Sequence, residues 1–592
     1  MKNSFILLVL IVLVSCQNAI PKHETVNNIF KSDILKVIDE VSKLEGLIES
    51  NSSTVELQRQ FLKAHSSYKQ VEAISEYYFP VVSKAINGPA LAEFEENDGK
   101  TLPPEGFQVI EEFIFPTYNS NSKVELLREM GILSANLKRL NKVSQTNEFT
   151  DSHVFDAMRS EVFRIITLGI TGFDSPIAQK SIPEAALALE SIEKYYKIYA
   201  DNSADESFQP VLKTIKKGKE YLKTNTNFNT FDRAFFIREI ANPLSIGLYK
   251  TQVSLKIPFI KETRGLKTTA QTLFDKNAFD VEAFSAFPDY KTTPEKIELG
   301  KLLFNDPVLS GDNSRSCASC HHSEKAFTDG LEKSISLDGK SLVKRNTPTL
   351  THIAFQRVFF LDSRVNYLED QAVAVIINEN EMHGSLAKSV AALKKEASYV
   401  AKFQKAFPKT AIDEFGIKNA LASYIRSLST YDSKFDEFMR GAETFDMDEI
   451  AGFNLFTGKA KCATCHFIPL TNGTVPPSFT KSESEVLGVP DKYKKLDADL
   501  GKFQLTKAEI HRNSFKTPTL RNVLLTAPYM HNGVFKTLEE VIDFYNNGGG
   551  NGLGFNLPNQ TLPEDKLNLT NLEKKQLVLF MKSLTDKKYS QK

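Results

Sequence analysis

The sequence predicts an all-α protein, a helical bundle followed by two small helical units in tandem. Three observations predict it. Apolar residues recur with a period near 3.6 through the N-terminal half. The C-terminal half runs through one order of motifs twice. Few stretches alternate apolar and polar residues as a half-buried strand would. Composition agrees, because 592 residues at 41% hydrophobic and 25% charged supply ample core. A formal net charge of zero, from 73 Lys+Arg against 73 Asp+Glu, leaves no electrostatic footprint for nucleic acid. No stretch reaches the ~18 apolar residues of a membrane span.

The first element is an export signal. Lys2 precedes an unbroken apolar run from Phe5 to Val14, too short to span a bilayer. Leu13-Val14-Ser15-Cys16 ends the run and looks like a lipobox, so residues 1–16 are expected to be a lipoprotein signal and Cys16 the lipidated residue. Gln17, not Asp, then points to the outer membrane, and to a periplasm-facing protein anchored by its lipid.

Residues 17–280 read as a helical domain. Phe30, Ile34, Val37, Ile38, Val41, Leu44 and Ile48 follow one helical face. Ser53-x-x-Glu56 is a capping box for a second helix bearing Leu57, Phe61, Leu62 and Tyr68. Ser181 and Pro183 open a third. The link to the C-terminal half falls near Thr263 to Pro288.

Residues 281–445 and 446–592 are the two repeated units. Thr293-Pro294 starts a helix with Gly300 and Phe304 four apart, and Asp446 starts one with Gly452 and Phe456 four apart. Each helix leads into Cys-x-x-Cys-His: Cys317, Cys320 and His321, then Cys462, Cys465 and His466. Two thiols at this spacing add to the two vinyl groups of one haem, and the adjacent His binds its iron. Disulfides, zinc or a thioredoxin-like pair are the alternatives. Disulfides do not require a His after each pair, and zinc would need two distant sets brought together. Two covalent c-type haems are therefore expected, which fits export. Thr347-Pro348-Thr349-Leu350 and Thr517-Pro518-Thr519-Leu520 follow the two motifs. Thr570-x-x-Glu573 caps a closing helix with Leu572, Leu577, Leu579, Phe580 and Leu584.

The two attachment motifs, their spacing and the text between them resemble the bacterial di-haem cytochrome c peroxidases, including the MauG-type branch. The likeness runs from about Phe284 to Leu584 and is carried by Leu299-Gly300-Lys301-Leu302-Leu303-Phe304, the two attachment motifs, the two Thr-Pro-Thr-Leu boxes and Ala527-Pro528-Tyr529-Met530-His531-Asn532-Gly533. It implies two cytochrome c-like domains, the first peroxidatic and the second an electron-transfer domain. The substrate would be hydrogen peroxide. The electrons would come from a small periplasmic donor, a cytochrome c or a cupredoxin. In the MauG-type branch the partner is instead a protein substrate. A non-enzymatic electron carrier is the third reading. The family tends to form homodimers.

Matched residue by residue, the likeness gives Glu381 and Gln371 as the catalytic groups at the peroxide site, Glu381 as the carboxylate that moves the proton, because O–O heterolysis needs acid–base help. Read without it, Gln371 is a helix-surface amide and Glu381 a helix-entry acid near Ser385. The likeness also implies a calcium ion held by Asn346, Thr526 and Pro528, since oxygen ligands suit calcium; Asn346 could equally cap a turn.

Three departures stand out. Asp338 occupies the place of the His that closes the resting iron in many members, so the first site is expected open. Leu361 stands where the family has an oxidisable Trp, and the chain contains no Trp at all. Tyr545 stands where the second iron usually takes Met, as in the MauG-type branch, and a Tyr oxygen would lower the potential. Met530 is the fallback ligand. In the N-terminal half, Phe61 to Glu72 and Gly106-Phe107-Gln108-Val109-Ile110-Glu111 look faintly like the imelysin-type helical lipoproteins, with Gln108 in place of their His. That half is expected to be a scaffold or docking bundle, with His23, His65 and His153 in packed or solvated roles.

Overall fold

A computed structural model of the chain describes residues 20–95, 98–200 and 206–590. Cys16 and the signal lie outside them. The fold is all-α, with two short antiparallel strand pairs among the described residues, Glu93–Glu95 with Lys100–Leu102 and Ser484–Val486 with Ser514–Lys516. None of the described helices is long and apolar enough to cross a membrane.

The N-terminal bundle forms where its periodicity places it. The first helix, Lys22–Glu49, buries Phe30, Ile34, Val37, Val41, Leu44 and Ile48. In the second, Thr54–Tyr68, the Ser53 hydroxyl accepts from the Glu56 amide and the Glu56 carboxylate accepts from the Ser53 amide, which satisfies two end donors. The Ser181–Tyr199 helix buries Ile182, Leu189, Ile192, Tyr195 and Tyr196. The core of the bundle also holds charge. His65 donates Nδ1–H to Glu184 (2.7 Å) and Nε2–H to Asn87 (3.0 Å). Burial opposes protonation of this imidazole, but Glu184 overrides it and raises the pKa. Lys69 bonds Glu72 and Asp174 at 2.7 and 2.8 Å. Gln108 donates to the Asn87 carbonyl, and Glu111 accepts from Ser175. Among the described residues no cluster of His, Cys, Asp and Glu is placed to hold a metal ion.

The repeated units share one construction. Each opening helix crosses its closing helix at the glycine. A Cβ on Gly300 would lie 1.9 Å from the Ala420 oxygen, and one on Gly452 would lie 2.0 Å from the Gln576 oxygen. Only glycine permits so close a crossing. It brings the Pro294–Asn305 helix onto Glu414–Arg426, and Met447–Phe456 onto Asn571–Ser583. Thr293, Asp446 and Thr570 cap their helices through side-chain oxygens, as their spacing predicts. Leu572 departs from the expected apolar stripe: it is exposed in the first turn, while Leu577, Phe580 and Leu584 are buried.

Two apolar cores result. One, from Leu299 to Leu428, is confined to the first unit. The other is continuous through the N-terminal bundle, the connector residues Leu266 to Phe279, residues 431–445 and the second unit. The bundle clasps the second unit directly. Asn454 Oδ1 accepts from the amides of Arg233 (2.9 Å) and Ala234 (3.1 Å). Phe173 meets Phe467 at 5.9 Å between centroids, one residue beyond His466.

Candidate haem sites

Both Cys-x-x-Cys-His motifs lie on single tight turns, Cys317–Ser319 and Cys462–Thr464, so that each pair of thiols faces one side. All four cysteines are free and partly exposed, and burial pushes the Cys317 and Cys462 thiols up to about 12. His321 donates Nδ1–H to the Phe327 carbonyl (2.8 Å), and His466 donates Nδ1–H to the Pro518 carbonyl (3.1 Å). A carbonyl only accepts, so the proton sits on Nδ1 and the Nε2 lone pair is left for a metal. Burial holds both imidazoles neutral, lowering His466 to about 4 and His321 in the same direction. Paired thiols beside an oriented, neutral imidazole fit a covalent haem at each motif. Pro518 belongs to the second Thr-Pro-Thr-Leu box, which explains why that box accompanies the motif.

Glu381 lies in the turn after the Leu368–Ile377 helix, its amide donating to the Asn378 carbonyl (3.0 Å). The preceding carbonyl, of Asn380, accepts from Ser336 Oγ and the Leu337 amide and pins the turn to the 334–343 hairpin. Burial raises the carboxyl above the ordinary glutamate range and Arg364 opposes it. Glu381 is also close enough to the first motif that its charge adds to burial in raising the Cys320 thiol. Gln371 is buried on the same helix, and its side-chain oxygen has no hydrogen-bond partner. Asp338 turns into its own hairpin, accepting from the amides of Lys340 and Ser341 and from the Ser341 hydroxyl.

Tyr545 lies on the Leu538–Asn546 helix, half-buried beside the second motif. Burial, with the Cys465 and Cys462 thiols adding to it, pushes its phenol far up. Met530 sits in a left-handed turn (φ +71°) whose carbonyl accepts from Gly533. Asn346 spends its amide nitrogen on the Leu331 carbonyl (2.8 Å), and its backbone N–H donates to the His531 carbonyl (2.8 Å).

The residues that join the two units were missed by sequence reasoning. Arg345 bonds Asp499 at 2.7 and 3.0 Å and Asp362 at 2.7 Å, and Arg364 bonds Asp362 at 2.9 Å. His352 and Asn522 occupy equivalent places after the two boxes, and both reach the buried Asp586. The repeat itself was a signal for this pair, since both stand two residues beyond the box leucine.

A family profile described as di-haem cytochrome c peroxidase matches residues 294–444. The cytochrome-c peroxidase IdrP2 of Denitromonas iodatirespirans is 33% identical over 320 residues, which cover 51% of this chain and 84% of that protein. The chain belongs to the di-haem cytochrome c peroxidase and MauG family. The methylamine utilization protein MauG of Methylorubrum extorquens is 34% identical over 296 residues, covering 49% of this chain and 78% of the relative. Among solved structures, a MauG-like protein associated with microbial copper homeostasis is 31% identical, with a TM-score of 0.45, over 50% of this chain and 91% of its own. The family match lies in the C-terminal half; the N-terminal half is unassigned. The two cysteine pairs are consistent with the two c-type haems of this family.

Proposed function

We propose that this chain is a di-haem peroxidase that reduces hydrogen peroxide to water, H2O2 + 2H+ + 2e− giving 2H2O, with electrons from a small periplasmic donor. The observation that carries the reading is Glu381. It is a half-buried carboxyl with a raised pKa, beside the first attachment motif and within reach of the Arg364 charge. A haem bound at Cys317 and Cys320 supplies the redox chemistry. Glu381 accepts the proton from one peroxide oxygen and returns it to the other, so that water leaves. Gln371 offers its amide to hold the peroxide in place. Arg364 keeps Glu381 from becoming so weak an acid that it stays protonated. His321, oriented by the Phe327 carbonyl, would hold the iron of that haem.

The second motif, with His466 and Tyr545, stores or passes an electron. Tyr545 beside both thiols also favours a second reading, a MauG-like oxidase acting on a protein substrate. In either case Cys16 carries the lipid that anchors the chain in the outer membrane, facing the periplasm, and Asn346, Thr526 and Pro528 hold a calcium ion between the units. The chain acts as a homodimer.

The test is Glu381→Gln in protein carrying both haems. General acid–base catalysis contributes about 10²–10⁴-fold, so peroxide turnover with a reduced donor should fall by that order. Wild-type turnover would remove Glu381 from the mechanism. Consumption of peroxide that requires a protein substrate, and not a small donor, would decide for the second reading.

A further inference from the structure

Among the described residues, eight Lys and Arg side chains are nine-tenths or more buried: Lys69, Arg159, Arg164, Arg233, Lys296, Arg426, Lys516 and Arg521. An interior cation is costly unless its donors are met by charge or by several acceptors. Seven of the eight follow that rule. Lys69, Arg164, Arg426 and Arg521 each bind a carboxylate. Arg159, Arg233 and Lys296 each meet two or three backbone carbonyls.

Lys516 does not follow it. Its ammonium has three donors, and the Gln356 amide oxygen is its sole hydrogen-bond acceptor among the described residues. No carboxylate offsets the burial, which alone pushes the amine down to about 7. Gln356 is itself buried, 5% exposed.

The position is the junction of the two haem units. Lys516 ends the Ser514–Lys516 strand, and its amide donates to the Leu361 carbonyl of the first unit at 2.7 Å. Two residues on, Pro518 orients His466. Three residues beyond Leu361 is Arg364, whose charge acts on Glu381. The register sets Ser484 opposite Lys516, and the Ser484 hydroxyl lies 3.4 Å from that of Ser363 in the first unit. The neighbouring pair, Glu485 and Phe515, points to the other face; there Glu485 adds to burial in raising Cys465 of the second motif. Lys516 therefore stands between the segments that build both sites, with donors unspent and, among the described residues, no anion bonded to them.

Each c-type haem brings two propionate carboxylates. We propose that Lys516 is the counter-ion of a haem propionate at the junction of the two units, and that it raises the reduction potential of that haem. The inference rests on the di-haem reading. A cation near the ring favours the reduced iron, which carries one positive charge fewer, so its removal lowers the potential.

The test uses the full chain, and the haem content per chain is measured first. Fewer than two haems would overturn the di-haem reading and this inference with it. With two haems present, Lys516→Met is compared with Lys516→Arg. In the methionine variant the propionate bending mode in the resonance Raman spectrum should shift and the midpoint potential of one haem should fall. In the arginine variant both should stay near wild type. A methionine variant with two haems, an unmoved mode and unmoved potentials would overturn the proposal. Should that variant fail to load both haems, the isosteric Gln356→Glu decides. Its carboxylate draws the ammonium away, so the propionate mode should shift there too; an unmoved mode would overturn the proposal.

Discussion

Gly452→Ala tests the packing on which the second haem site is built. The added Cβ would meet the Gln576 oxygen at 2.0 Å, the Gln576 carbon at 2.7 Å and the Phe580 Cβ at 2.9 Å. Two of these atoms are backbone, so no rotamer relieves the contact. The crossing helices must part by more than about 1 Å to restore ordinary van der Waals distances. Overpacking of this kind costs about 1–3 kcal/mol, and backbone atoms put it at the upper end. Alanine recovers about 1 kcal/mol in helix propensity over glycine. The net loss is then about 2 kcal/mol. Phe453 and Phe456 both pack on Phe580, at 5.4 and 5.0 Å, in the core shared with the N-terminal bundle. Denaturant unfolding of the holoprotein, followed by far-ultraviolet circular dichroism and by haem absorbance, reads the effect. Both signals should move to lower denaturant in Gly452→Ala. Gly300→Ala, whose Cβ would meet Ala420 in the separate core, should chiefly disturb the first haem. A Gly452→Ala protein as stable as wild type would refute the close crossing.

Arg364→Gln removes the cation that opposes the raised pKa of Glu381, so the pKa rises further; the proposed mechanism uses the carboxylate form, so the acid limb of turnover should move to higher pH, and an unmoved limb would separate the two residues. Asp586→Ala leaves His352 and Asn522 without their shared buried acceptor and should cost about 3–5 kcal/mol, measured by denaturant unfolding at neutral pH. Burial would raise this carboxyl, but His352, Asn522 and Arg521 hold it down to about 2. Its contribution is thus present above its unfolded pKa and lost as pH falls through the folded one, so the gap between variant and wild type should narrow from about pH 4 to pH 2. Tyr545→Phe should change the spectrum of the low-spin haem; an unchanged spectrum would end its assignment as a ligand.

Local features were legible in the sequence because local chemistry decides them. A Ser, Thr or Asp three residues before Glu caps a helix by its own reach, and Ser53, Asp446 and Thr570 all do so. Gly300 and Gly452 were visible as a repeat, although the backbone oxygen that forbids a Cβ at each comes from a helix more than a hundred residues away. The attachment motifs were legible because their spacing is itself the chemistry. Arg345 with Asp499, and Lys516 with Gln356, were not. Their partners lie 154 and 160 residues apart, and no pattern along the chain marks a Lys as the one that ends up buried. Leu572 illustrates the converse: an apolar residue in the right window was assigned to the stripe, but the first turn of its helix faces solvent.

The N-terminal bundle changes how the second site must be understood. A scaffold tethered by a flexible linker would leave that site as accessible as in a two-domain protein. Here the connector contributes Leu273, Phe274 and Ala278 to the interior, each fully buried. Arg440 donates to the Phe274 carbonyl at 2.7 Å and Asn242 to the Met439 carbonyl at 3.3 Å, so bundle, connector and the 431–445 segment are stitched through the backbone as well as through apolar contact. Phe173 reaches Phe467, the residue after His466, and Phe94 of the short hairpin meets His511 at 5.4 Å. The first unit keeps its own core, adds Phe355 to the shared one, and also meets the second through ion pairs such as Arg345 with Asp499. Apolar burial is non-directional and adds up with area, whereas an ion pair needs one geometry. The bundle and second unit therefore share one interior, whereas Lys516 and Gln356 sit at the junction of the two haem units.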